Sequence, residues 1–536
     1  MPPKAVTQRA KPGPKKAVPK DAAKKDAPKA QPKAESKAKT TTSVKKSTVN
    51  GTTKSEATTP PKEETTTTTS KKRARVDEPT TAAKPAKRAK NEKTINTPPT
   101  EILDIYVFGT GDNGELGLGH VIRNGKKPKG VQRPRLNDLL DAKTVGVVQI
   151  AVGGMHCAAL THDNKIYTWG VNDLGALGRD TKKDAKAEDE DSDEDDDDID
   201  LNPKESTPTA IPSSYFPEDV KFTQLVASDS ATFALTTTGS VYGWGVFSGS
   251  DGVIGFTKRP TIFSQEHKGP KDIQRTPIPI PELKHITTLA AGGNHILALD
   301  KTGNAFTWGC GEQNQLGRRI VDRHRAHALV PSQFSLPKRK IKAIACGGFH
   351  SFAIDDKNRV FSWGLNNFGQ TGVFDGAGEA NAVVSEPVVV DALKGLAIKE
   401  IEGGHHHSIA CTEDGKTIVW GRCDDCQMGV DLDDLPSEAV VKNAQGAPSI
   451  LAQATVVPDI PSTSISAGID NSLALTPTGT VFSWGFSANF RTGLGTEDTI
   501  EEPTLIENSA LRGKRITFAG CGGQFSVLAG PAAAAF

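Results

Sequence analysis

The amino-acid sequence predicts an all-β protein folded as a seven-bladed β-propeller, and two repeated motifs carry this prediction. The first motif is a short strand ending in Trp-Gly, most clearly at residues 360–364 (VFSWG), and it occurs seven times at spacings of 55 to 75 residues. All six tryptophans fall in it, and Phe108 takes the seventh place. The second motif precedes the first, for example at residues 344–354 (IACGGFHSFAI). Self-similarity at a long period indicates a repeat architecture.

Each repeat unit has the pattern of one four-stranded propeller blade. The second motif ends in an alternating run at 351–354, a polar turn follows at 355–358, and the Trp-Gly strand comes next. Two strands joined by a polar turn form a hairpin. Roughly 20 to 30 further residues per unit leave room for two more strands and a loop, and no stretch has the period of an amphipathic helix. Seven such units predict a propeller.

The two ends of the repetitive region together make up one unit. This region begins with a strand of the Trp-Gly type at Tyr106–Gly109 and ends with an unpartnered copy of the second motif at Ile516–Leu528. We therefore expect the N- and C-terminal strands to share a blade and close the ring. Closure removes free sheet edges, which would otherwise pair with other chains. The aromatic residue that recurs once per unit is expected to pack between neighbouring blades.

Charge divides the chain into a basic tail and an acidic body. Residues 1–100 hold 25 Lys or Arg against 9 Asp or Glu, a net charge of +16; the whole chain is at +1, so residues 101–536 carry −15. The tail has almost no large apolar side chains, so we expect it to be disordered and to bind a polyanion. Two basic clusters in the tail have the spacing of a bipartite nuclear-import signal: Lys71, Lys72, Arg73, Arg75, Lys87, Arg88 and Lys90.

We expect the propeller to span residues 101–530, with an acidic insertion at 180–205 and a short C-terminal tail at 531–536. The insertion contains the run Glu188–Asp198 and accounts for the longest spacing between Trp-Gly motifs. Its composition predicts disorder, because so many carboxylates cannot be buried in a core.

The sequence gives no indication of a metal, a cofactor or a covalent active site. Seven cysteines without a paired framework fit a reducing compartment, and Cys423-x-x-Cys426 is half of a zinc motif without the other half. The chain has no Gly-x4-Gly-Lys-Ser/Thr pattern, so we do not expect it to bind nucleotide phosphates itself. No apolar run approaches the ~18 residues of a membrane span, so no membrane partner is expected.

Four segments beside the repeated strands resemble those of a known family: residues 109–119 (GTGDNGELGLG), 151–156 (AVGGMH), 172–180 (NDLGALGRD) and 310–318 (CGEQNQLGR). They are similar to the regulator of chromosome condensation family, seven-bladed propellers that act as guanine-nucleotide exchange factors for the small GTPase Ran. Such repeats also occur in proteins without exchange activity, so the repeat alone indicates only the fold.

One segment resembles the projecting β-wedge of the Ran-directed members, and the basic tail resembles their chromatin-binding tail. The resemblance therefore implies exchange activity. The residues of the wedge are Phe247, Ser248, Gly249, Ser250, Asp251, Gly252, Val253, Ile254 and Gly255. Other units have a short loop ending in Leu-Gly here, so blade packing does not require the longer segment.

The resemblance also implies a GTPase-facing surface. Asp112, Arg318 and His406 match family positions on it. Asp229 replaces the second glycine of the Gly-Gly pair, which places a carboxylate at a loop end. Asn294 stands where the family usually carries an aspartate.

Two further sets of residues carry weaker expectations. The loop after Arg318 resembles the family's nucleosome-contacting loop through Arg319, Arg323 and Arg325. Four histidines occupy the Gly-Gly-x-His place of their units and are expected to have packing roles, because a ring of repeat-related residues cannot converge on one metal: His156, His295, His350 and His406.

Together these features predict a chromatin-bound nuclear exchange factor that empties Ran of GDP so that GTP can load, sustaining nucleocytoplasmic transport and mitotic functions. The expected partners are a Ran-type GTPase, nucleosomal histones and DNA through the tail, and a nuclear-import receptor. The factor needs no cofactor and performs no covalent chemistry. The alternative is a propeller scaffold that is tethered to chromatin and releases no nucleotide.

Overall fold

The computed structural model describes residues 93–182, 200–257 and 273–532, without the side chains of residues 322–324. Within these ranges the chain forms seven antiparallel sheets of four or more strands and one separate two-stranded hairpin. The predicted all-β, seven-bladed propeller, closed by its terminal strands, is confirmed. The predicted import signal and most of the acidic insertion lie outside the described residues. No helix in the described ranges is long and apolar enough to cross a membrane.

The closing blade, blade 7, joins both ends of the described chain. Its strand order is β2-β1-β31-β30, with β1 at Leu103–Gly109, β2 at Val131–Leu136, β30 at Phe518–Cys521 and β31 at Phe525–Pro531. β1 pairs with β31 along its whole length. The ring is thus closed by main-chain hydrogen bonds between residues more than 400 positions apart in sequence.

Blades 1 to 3 follow β2 in chain order, and blade 2 carries an additional hairpin formed by β10 and β11. Their strands are β3 (Val147–Val152), β4 (His156–Thr161), β5 (Ile166–Gly170) and β6 (Thr209–Ala210); β7 (Phe222–Ala227), β8 (Ala231–Thr236), β9 (Val241–Gly245), β10 (Phe247–Gly249), β11 (Gly252–Gly255) and β12 (Gln274–Pro279); and β13 (Ile286–Ala291), β14 (His295–Asp300), β15 (Ala305–Gly309) and β16 (Ser332–Gln333).

Blades 4 to 6 complete the ring, and blade 5 has a fifth, outer strand, β24. Their strands are β17 (Ile341–Cys346), β18 (His350–Asp355), β19 (Val360–Leu365) and β20 (Val383–Val389); β21 (Ile398–Gly403), β22 (His407–Thr412), β23 (Thr417–Arg422), β24 (Val440–Lys442) and β25 (Pro448–Val457); and β26 (Ser464–Ala467), β27 (Asn471–Leu475), β28 (Val481–Gly485) and β29 (Ile500–Leu505).

Helical structure in the described ranges is limited to one short α-helix and six 3₁₀ turns in the connecting loops. The α-helix is α1 (Pro203–Ser206), and the 3₁₀ turns are Asp138–Leu140, Ser213–Tyr215, Asp322–Leu329, Asp391–Leu393, Ser437–Ala439 and Ala488–Phe490.

The second strand of a blade is enclosed by the neighbouring blades. Every residue of β4, β8, β18 and β22 is buried. A strand buried on both faces does not need the polar–apolar alternation of a half-exposed strand. Small residues such as Ala158 and Ala159 in β4 let the adjacent blades approach closely, and this explains why these segments look uniformly apolar or small.

Five of the six tryptophans rest on a loop of the preceding blade, as expected for a packing residue between blades. The indole N–H donates to a main-chain carbonyl of that loop, with donor–acceptor distances of 2.8 to 3.0 Å. The donor and acceptor pairs are Trp169–Glu115, Trp244–Ala176, Trp363–Gln315, Trp420–Gln370 and Trp484–Gln427. These bonds account for the glycine that ends each of the five loops, because the acceptor lies two residues before it.

A second bond crosses most blade interfaces next to the tryptophan. The histidine at the start of a blade's second strand bonds through Nε2 to a hydroxyl of the next blade, as in His295–Ser351 (2.7 Å) and His350–Ser408 (2.7 Å). Burial lowers the pKa of His295 to about 3. These rings are therefore neutral hydrogen-bonding groups inside the ring of blades, in agreement with the expected packing role.

The interface between blades 2 and 3 lacks both of these bonds among the described residues. Ala231 replaces the histidine, and Trp308 has no indole bond to blade 2. Aromatic packing takes their place. Phe233 meets Trp308 edge to face at 5.6 Å and stacks on Phe247 at 6.0 Å between ring centroids. Such aromatic pairs contribute about 0.5–1.5 kcal/mol each beyond burial.

An N-terminal strap, residues 93–102, holds this same interface from the opposite end of the blades. The main-chain N–H groups of Ile95 and Asn96 donate to Thr237 O at 2.8 and 3.1 Å. The Asn96 side-chain amide donates to Thr236 O in blade 2 and to Ile286 O in blade 3, each at 2.9 Å. The strap precedes the boundary at residue 101 that the sequence predicts, and it forms part of the folded unit.

We predict that Asn96→Ala destabilises the propeller, since it removes the side-chain amide that joins Thr236 O of blade 2 to Ile286 O of blade 3, although Thr236 O keeps its bond from the main-chain N–H of Gly239. A hydrogen bond lost in this way costs about 1–3 kcal/mol. The free energy of unfolding, measured by urea denaturation, should fall by this amount. Thr97→Ala, at an exposed neighbouring position, is the matched control.

Truncation gives a second test of the strap. Removing residues 1–92 should leave the unfolding free energy unchanged, whereas removing residues 1–99 should lower it at least as much as Asn96→Ala. Equal stability of the two truncated proteins would show that the strap does not contribute.

Candidate functional site

One end of the propeller gathers the residues in which the repeat units differ. In every blade, one main-chain hydrogen bond joins the two repeated motifs. The donor is the N–H of the residue that follows Trp-Gly (Phe108-Gly109 in blade 7), and the acceptor is the carbonyl of the residue just before the second strand. The donor–acceptor distances are 2.7 to 3.1 Å. The loops after Trp-Gly and these variable residues therefore share one end, which we call the wedge face because β10 and β11 lie there. The variable residues are Met155, Ser230, Asn294, Phe349, His406, Asp470 and Gln524.

A cavity of about 700 Å³ lies inside the ring on this side, lined by the Gly-Gly segments of the blades. Successive segments hydrogen-bond to one another around it, as in Gly293 N to Gly348 O (3.2 Å) and Gly348 N to Gly404 O (2.9 Å). Glycine is needed here because a Cβ on Gly347 would collide with the ring of His350. Asp229, His405 and Ile469 extend side chains into the lining where the other four blades have glycine.

Asp229 and Asn294 are brought together, as the predicted GTPase-facing surface requires. The Asn294 amide N–H donates to Asp229 Oδ2 at 3.0 Å, and its carbonyl oxygen accepts from the main-chain N–H of Ser248 at 2.9 Å. The amide thus joins the carboxylate to the base of the wedge. An ionised aspartate at 294 could accept from Ser248 but could not donate to Asp229.

Burial raises the pKa of Asp229 from 3.8 to about 7. The main-chain N–H of Asp229 is used in a bond to Gly293 O, and among the described residues its carboxylate has the Asn294 amide as a hydrogen-bond donor and no cationic partner. Desolvation of the charged form therefore outweighs the stabilisation from this bond. A carboxyl group with a pKa near neutrality is well suited to meet a cationic group of a partner, which would stabilise its ionised form.

The predicted wedge forms a hairpin in which β10 pairs with β11. Its base is buried: Phe247 is fully enclosed and stacks on Phe256 at 5.9 Å. The turn at Ser250-Asp251 is polar and exposed, whereas Val253, at 43% exposure, lies on the returning strand. The apolar residue Val253 therefore lies on a flank of the wedge, behind a polar turn.

His406 does not occupy the place that the sequence suggests. In the strand register, His407 pairs with Gly421 as His350 pairs with Gly364, and His407 makes the bond to the next blade, to Ser472 at 3.1 Å. His407 is thus the repeat-related histidine, and the assignment of His406 to that ring is wrong. Three consecutive histidines made the register ambiguous in sequence.

The corrected register places His406 at a variable position of the wedge face. Its ring lies between Phe349 and Phe368, with centroid distances of 5.9 and 5.1 Å. Burial, followed by the nearby His405 and Arg422, lowers the pKa of His406 to about 4. At neutral pH it therefore presents an uncharged ring, and its predicted role as a GTPase contact stays a prediction.

Arg318 and Asp112 lie apart from the Asp229–Asn294 pair. The Arg318 guanidinium donates to the carbonyls of Thr307, His327 and Val330 at 3.2 to 3.4 Å, so it supports the following loop. Arg179 in blade 1 makes the equivalent contact, to Thr168 O at 2.7 Å. Asp112 is exposed and accepts from Thr110 at 2.8 Å. Their predicted GTPase contacts stay predictions.

The structure adds a cluster on the wedge face that sequence reasoning missed. Arg422 contacts Asp470 at 2.9 Å, Asp424 at 2.6 Å and Asp425 at 3.0 Å, and its guanidinium lies over the Phe368 ring at 5.7 Å. Burial opposes its charge, but Asp470 and Asp424 outweigh that effect and raise the pKa of Arg422. Asp470 departs from its siblings at a variable position, and this signal could have marked Asp470 as a site residue, although not its pairing with Arg422.

Other predicted sites have mixed outcomes. Arg325 lies 3.5 Å from Asp251 of the wedge and Arg319 is exposed, while the side chain of Arg323 lies outside the described part. Cys423 is buried, and burial raises its pKa to about 12. Among the described residues, no three metal-binding side chains are placed to hold an ion.

Comparison with known proteins extends over the whole propeller. Residues 104–528 match the RCC1-like domain family. The guanine nucleotide exchange factor SRM1 of Saccharomyces cerevisiae is 41% identical over 438 residues, which cover 80% of this chain and 87% of SRM1. Two solved structures also match over most of their length.

The first is Prp20p from Saccharomyces cerevisiae, described together with its binding to Gsp1p and histones. It has a TM-score of 0.70 and 38% identity, covering 80% of this chain and 92% of that chain. The second is yeast RCC1 (Prp20) bound to Kap60, with a TM-score of 0.72 and 37% identity, covering 85% of this chain and 96% of that chain.

We predict that Asp229 makes stability depend on pH. The folded state keeps this carboxyl protonated up to about pH 7, whereas the unfolded chain releases the proton near pH 4. The stability that depends on the neutral form is complete below about pH 4 and is lost as the pH rises to about 7. Asp229→Asn retains an acceptor for Asn294 but does not titrate.

The difference in unfolding free energy between Asp229→Asn and the parent should therefore grow in favour of the variant between pH 4 and pH 7, measured by urea denaturation. A constant difference across this range would contradict the assigned direction of the pKa.

Proposed function

The chain belongs to the regulator of chromosome condensation (RCC1-like) family, and on this premise we propose that it is a chromatin-bound guanine-nucleotide exchange factor for a Ran-type small GTPase. The observation that carries the proposal is the alignment with SRM1, a named exchange factor, over essentially the whole propeller. The exchange reaction needs no covalent step and no cofactor.

The proposed partners follow from the solved relatives. Binding of Prp20p to Gsp1p and histones supports a GTPase partner and a chromatin partner for this chain. The complex of yeast RCC1 with Kap60 supports recognition of a nuclear-import signal. In this chain we assign that signal to the basic clusters at 71–75 and 87–90, and a nuclear location follows from the two roles together.

Exchange by such a factor is a matter of linked binding equilibria. The factor binds the nucleotide-free GTPase more tightly than the nucleotide-bound form. By linkage, it weakens nucleotide binding by the same factor by which nucleotide weakens its own binding. The factor therefore catalyses exchange in both directions, and the cellular excess of GTP over GDP sets the direction of loading.

The wedge face supplies the chemistry for this task. We assign the hairpin Phe247–Gly255 to the displacement of nucleotide from the GTPase. Asp229 and Asn294 are assigned to holding the emptied GTPase through hydrogen bonds and charge. His406, Asp112 and Arg318 are assigned to the surrounding contact surface, and Arg319, Arg323 and Arg325 to the contact with nucleosomes.

A scaffold without exchange activity is the alternative from a different class of protein. It shares the fold and the chromatin partner, but it predicts no acceleration of GDP release. Release of fluorescent GDP from a Ran-type GTPase, followed by stopped flow with and without the factor, separates the two functions directly.

Shortening the wedge should abolish most of the activity. Replacing residues 248–252 by a two-residue turn should lower the GDP-release rate by orders of magnitude, since each ~1.4 kcal/mol of lost transition-state stabilisation is tenfold. The thermal midpoint should change little, because the exposed turn contributes little to the core while Phe247 and Phe256 are retained. A folded variant that still exchanges at the parent rate would refute the assignment.

Removing the basic tail should separate DNA binding from exchange. Each phosphate neutralised by the tail contributes about −0.9 to the slope of log K against log salt concentration. A chain lacking residues 1–92 keeps the strap and should show a flatter slope with double-stranded DNA, with GDP release unchanged. If the slope stays at the parent value, the DNA site is on the propeller.

A further inference from the structure

The wedge hairpin is too small to hold its own position. Its strands β10 and β11 are three and four residues long and pair at only three positions, with a register shift between Phe247 and Ser248. An isolated two-stranded hairpin is at best marginally stable in water. The position of the exposed turn must therefore be set by contacts outside the hairpin.

Glu312 in blade 3 supplies such contacts to the turn. Its Oε2 accepts from the main-chain N–H of Ser250 at 2.8 Å and from the Ser250 hydroxyl at 2.9 Å. Hydrogen bonds to an ionised carboxylate are roughly twice as strong as neutral ones. Together with Asn294, which accepts from Ser248, blade 3 holds the hairpin at its base and at its turn.

The loop that carries Glu312 is itself well fixed. Within it Asn314 N donates to Gly311 O at 3.2 Å, Gly317 N to Asn314 O at 2.9 Å, and Gln313 N to the Gln315 side chain at 2.8 Å. Trp363 of the next blade rests on the same loop. The carboxylate therefore extends from a rigid support, as a positioning group requires.

Sequence position also distinguishes Glu312. It is the third residue after the Trp-Gly glycine, where blades 7, 1 and 5 have Asp112, Asp173 and Asp424. Blade 3 alone has a side chain one methylene longer at this place, and blade 3 is the blade that faces the wedge. The extra length brings the carboxylate to Ser250.

Gly249 gives a second, independent sign that the contact is close. A Cβ added at this residue would collide with the Glu312 carboxylate. The segment before the turn is thus free of a side chain on the side where Glu312 lies, and the turn can come within hydrogen-bonding distance of it.

We propose that Glu312 is a positioning residue for nucleotide exchange, which fixes the wedge turn in the orientation that displaces nucleotide from the GTPase. This rests on the proposed exchange function. Glu312 acts through the wedge, so its loss affects the rate at which bound GTPase releases GDP more than the assembly of the complex.

The test compares three substitutions by stopped-flow release of fluorescent GDP from a Ran-type GTPase. Glu312→Ala removes both bonds, Glu312→Asp keeps the charge without the reach, and Glu312→Gln keeps the reach and an acceptor without the charge. We expect Ala and Asp to lower kcat about tenfold, which corresponds to about 1.4 kcal/mol, with KM within twofold. Gln should have a smaller defect than Ala or Asp, because it keeps the contact through a weaker, uncharged acceptor. Glu413→Ala, at an exposed turn on the opposite end of blade 5, is the control.

Amide hydrogen exchange at Ser250 reports on the anchor without any GTPase. Exchange of this amide should become faster in Glu312→Ala and Glu312→Asp and should increase less in Glu312→Gln. Gly249→Ala keeps residue 312 as glutamate, but its added Cβ would push the Glu312 carboxylate away from the turn. This variant should reproduce the effects of Glu312→Ala in both assays.

Three results would overturn the proposal: parent kcat in Glu312→Ala, a defect in Glu312→Gln as large as in Glu312→Ala, or unchanged Ser250 amide exchange. The second would mean that Glu312 meets the GTPase as a charge. Failure of the exchange function itself is distinguishable, because the parent chain would then not accelerate GDP release while Ser250 amide exchange would still respond to Glu312.

Discussion

The contact between a tryptophan and the loop of the preceding blade, made by five of the six tryptophans, is the interaction on which the rest of the structure depends. The indole N–H finds a main-chain carbonyl, and the glycine two residues later lies against the ring. At Gly117, Gly178 and Gly429 the backbone has φ of 61–65° and a Cβ would collide with the indole. Both the conformation and the close approach exclude other residues. Because the ring closes, one geometry must be repeated around it, which explains why the sequence repeats so visibly.

The interface between blades 2 and 3 departs from this rule, and the departure is what allows the wedge. A loop that ends in Leu-Gly to seat a tryptophan cannot also project from the surface. Blade 2 has the β10–β11 hairpin in place of this loop. The interface is stabilised instead by the packing of Phe233, Phe247 and Phe256 with Trp308. The strap adds a fastening at the opposite end through Asn96. An interface stabilised by apolar packing beneath the surface leaves the surface segment free for binding.

The fold could be predicted from the sequence because the fold is periodic. A wrong assignment of the strands in one unit would have conflicted with the other six units. The same logic located Asp229 and the wedge as departures from the repeat. It failed where one residue of register mattered: three consecutive histidines hid the fact that His407, and not His406, bonds across the interface. It also could not find Arg422 with Asp470, or Glu312 with Ser250, because these pairs join different blades and lie 48 and 62 residues apart. Long-range side-chain pairs leave no local pattern.

The structure combines a rigid ring with one small hairpin that is held in place by contacts from a neighbouring blade. This arrangement suits a reaction without covalent chemistry. Only interactions that are stronger in the transition state than in the ground state accelerate a step. Under the proposed function, the broad wedge face would bind the GTPase in all its states, whereas the hairpin would gain its contacts as the nucleotide leaves. A hairpin with only seven strand residues would not keep a fixed position without contacts to the rest of the protein. Hydrogen bonds from blade 3 fix the hairpin at its base and at its turn. The loop that makes the bond to the turn is itself held by Trp363 of the next blade.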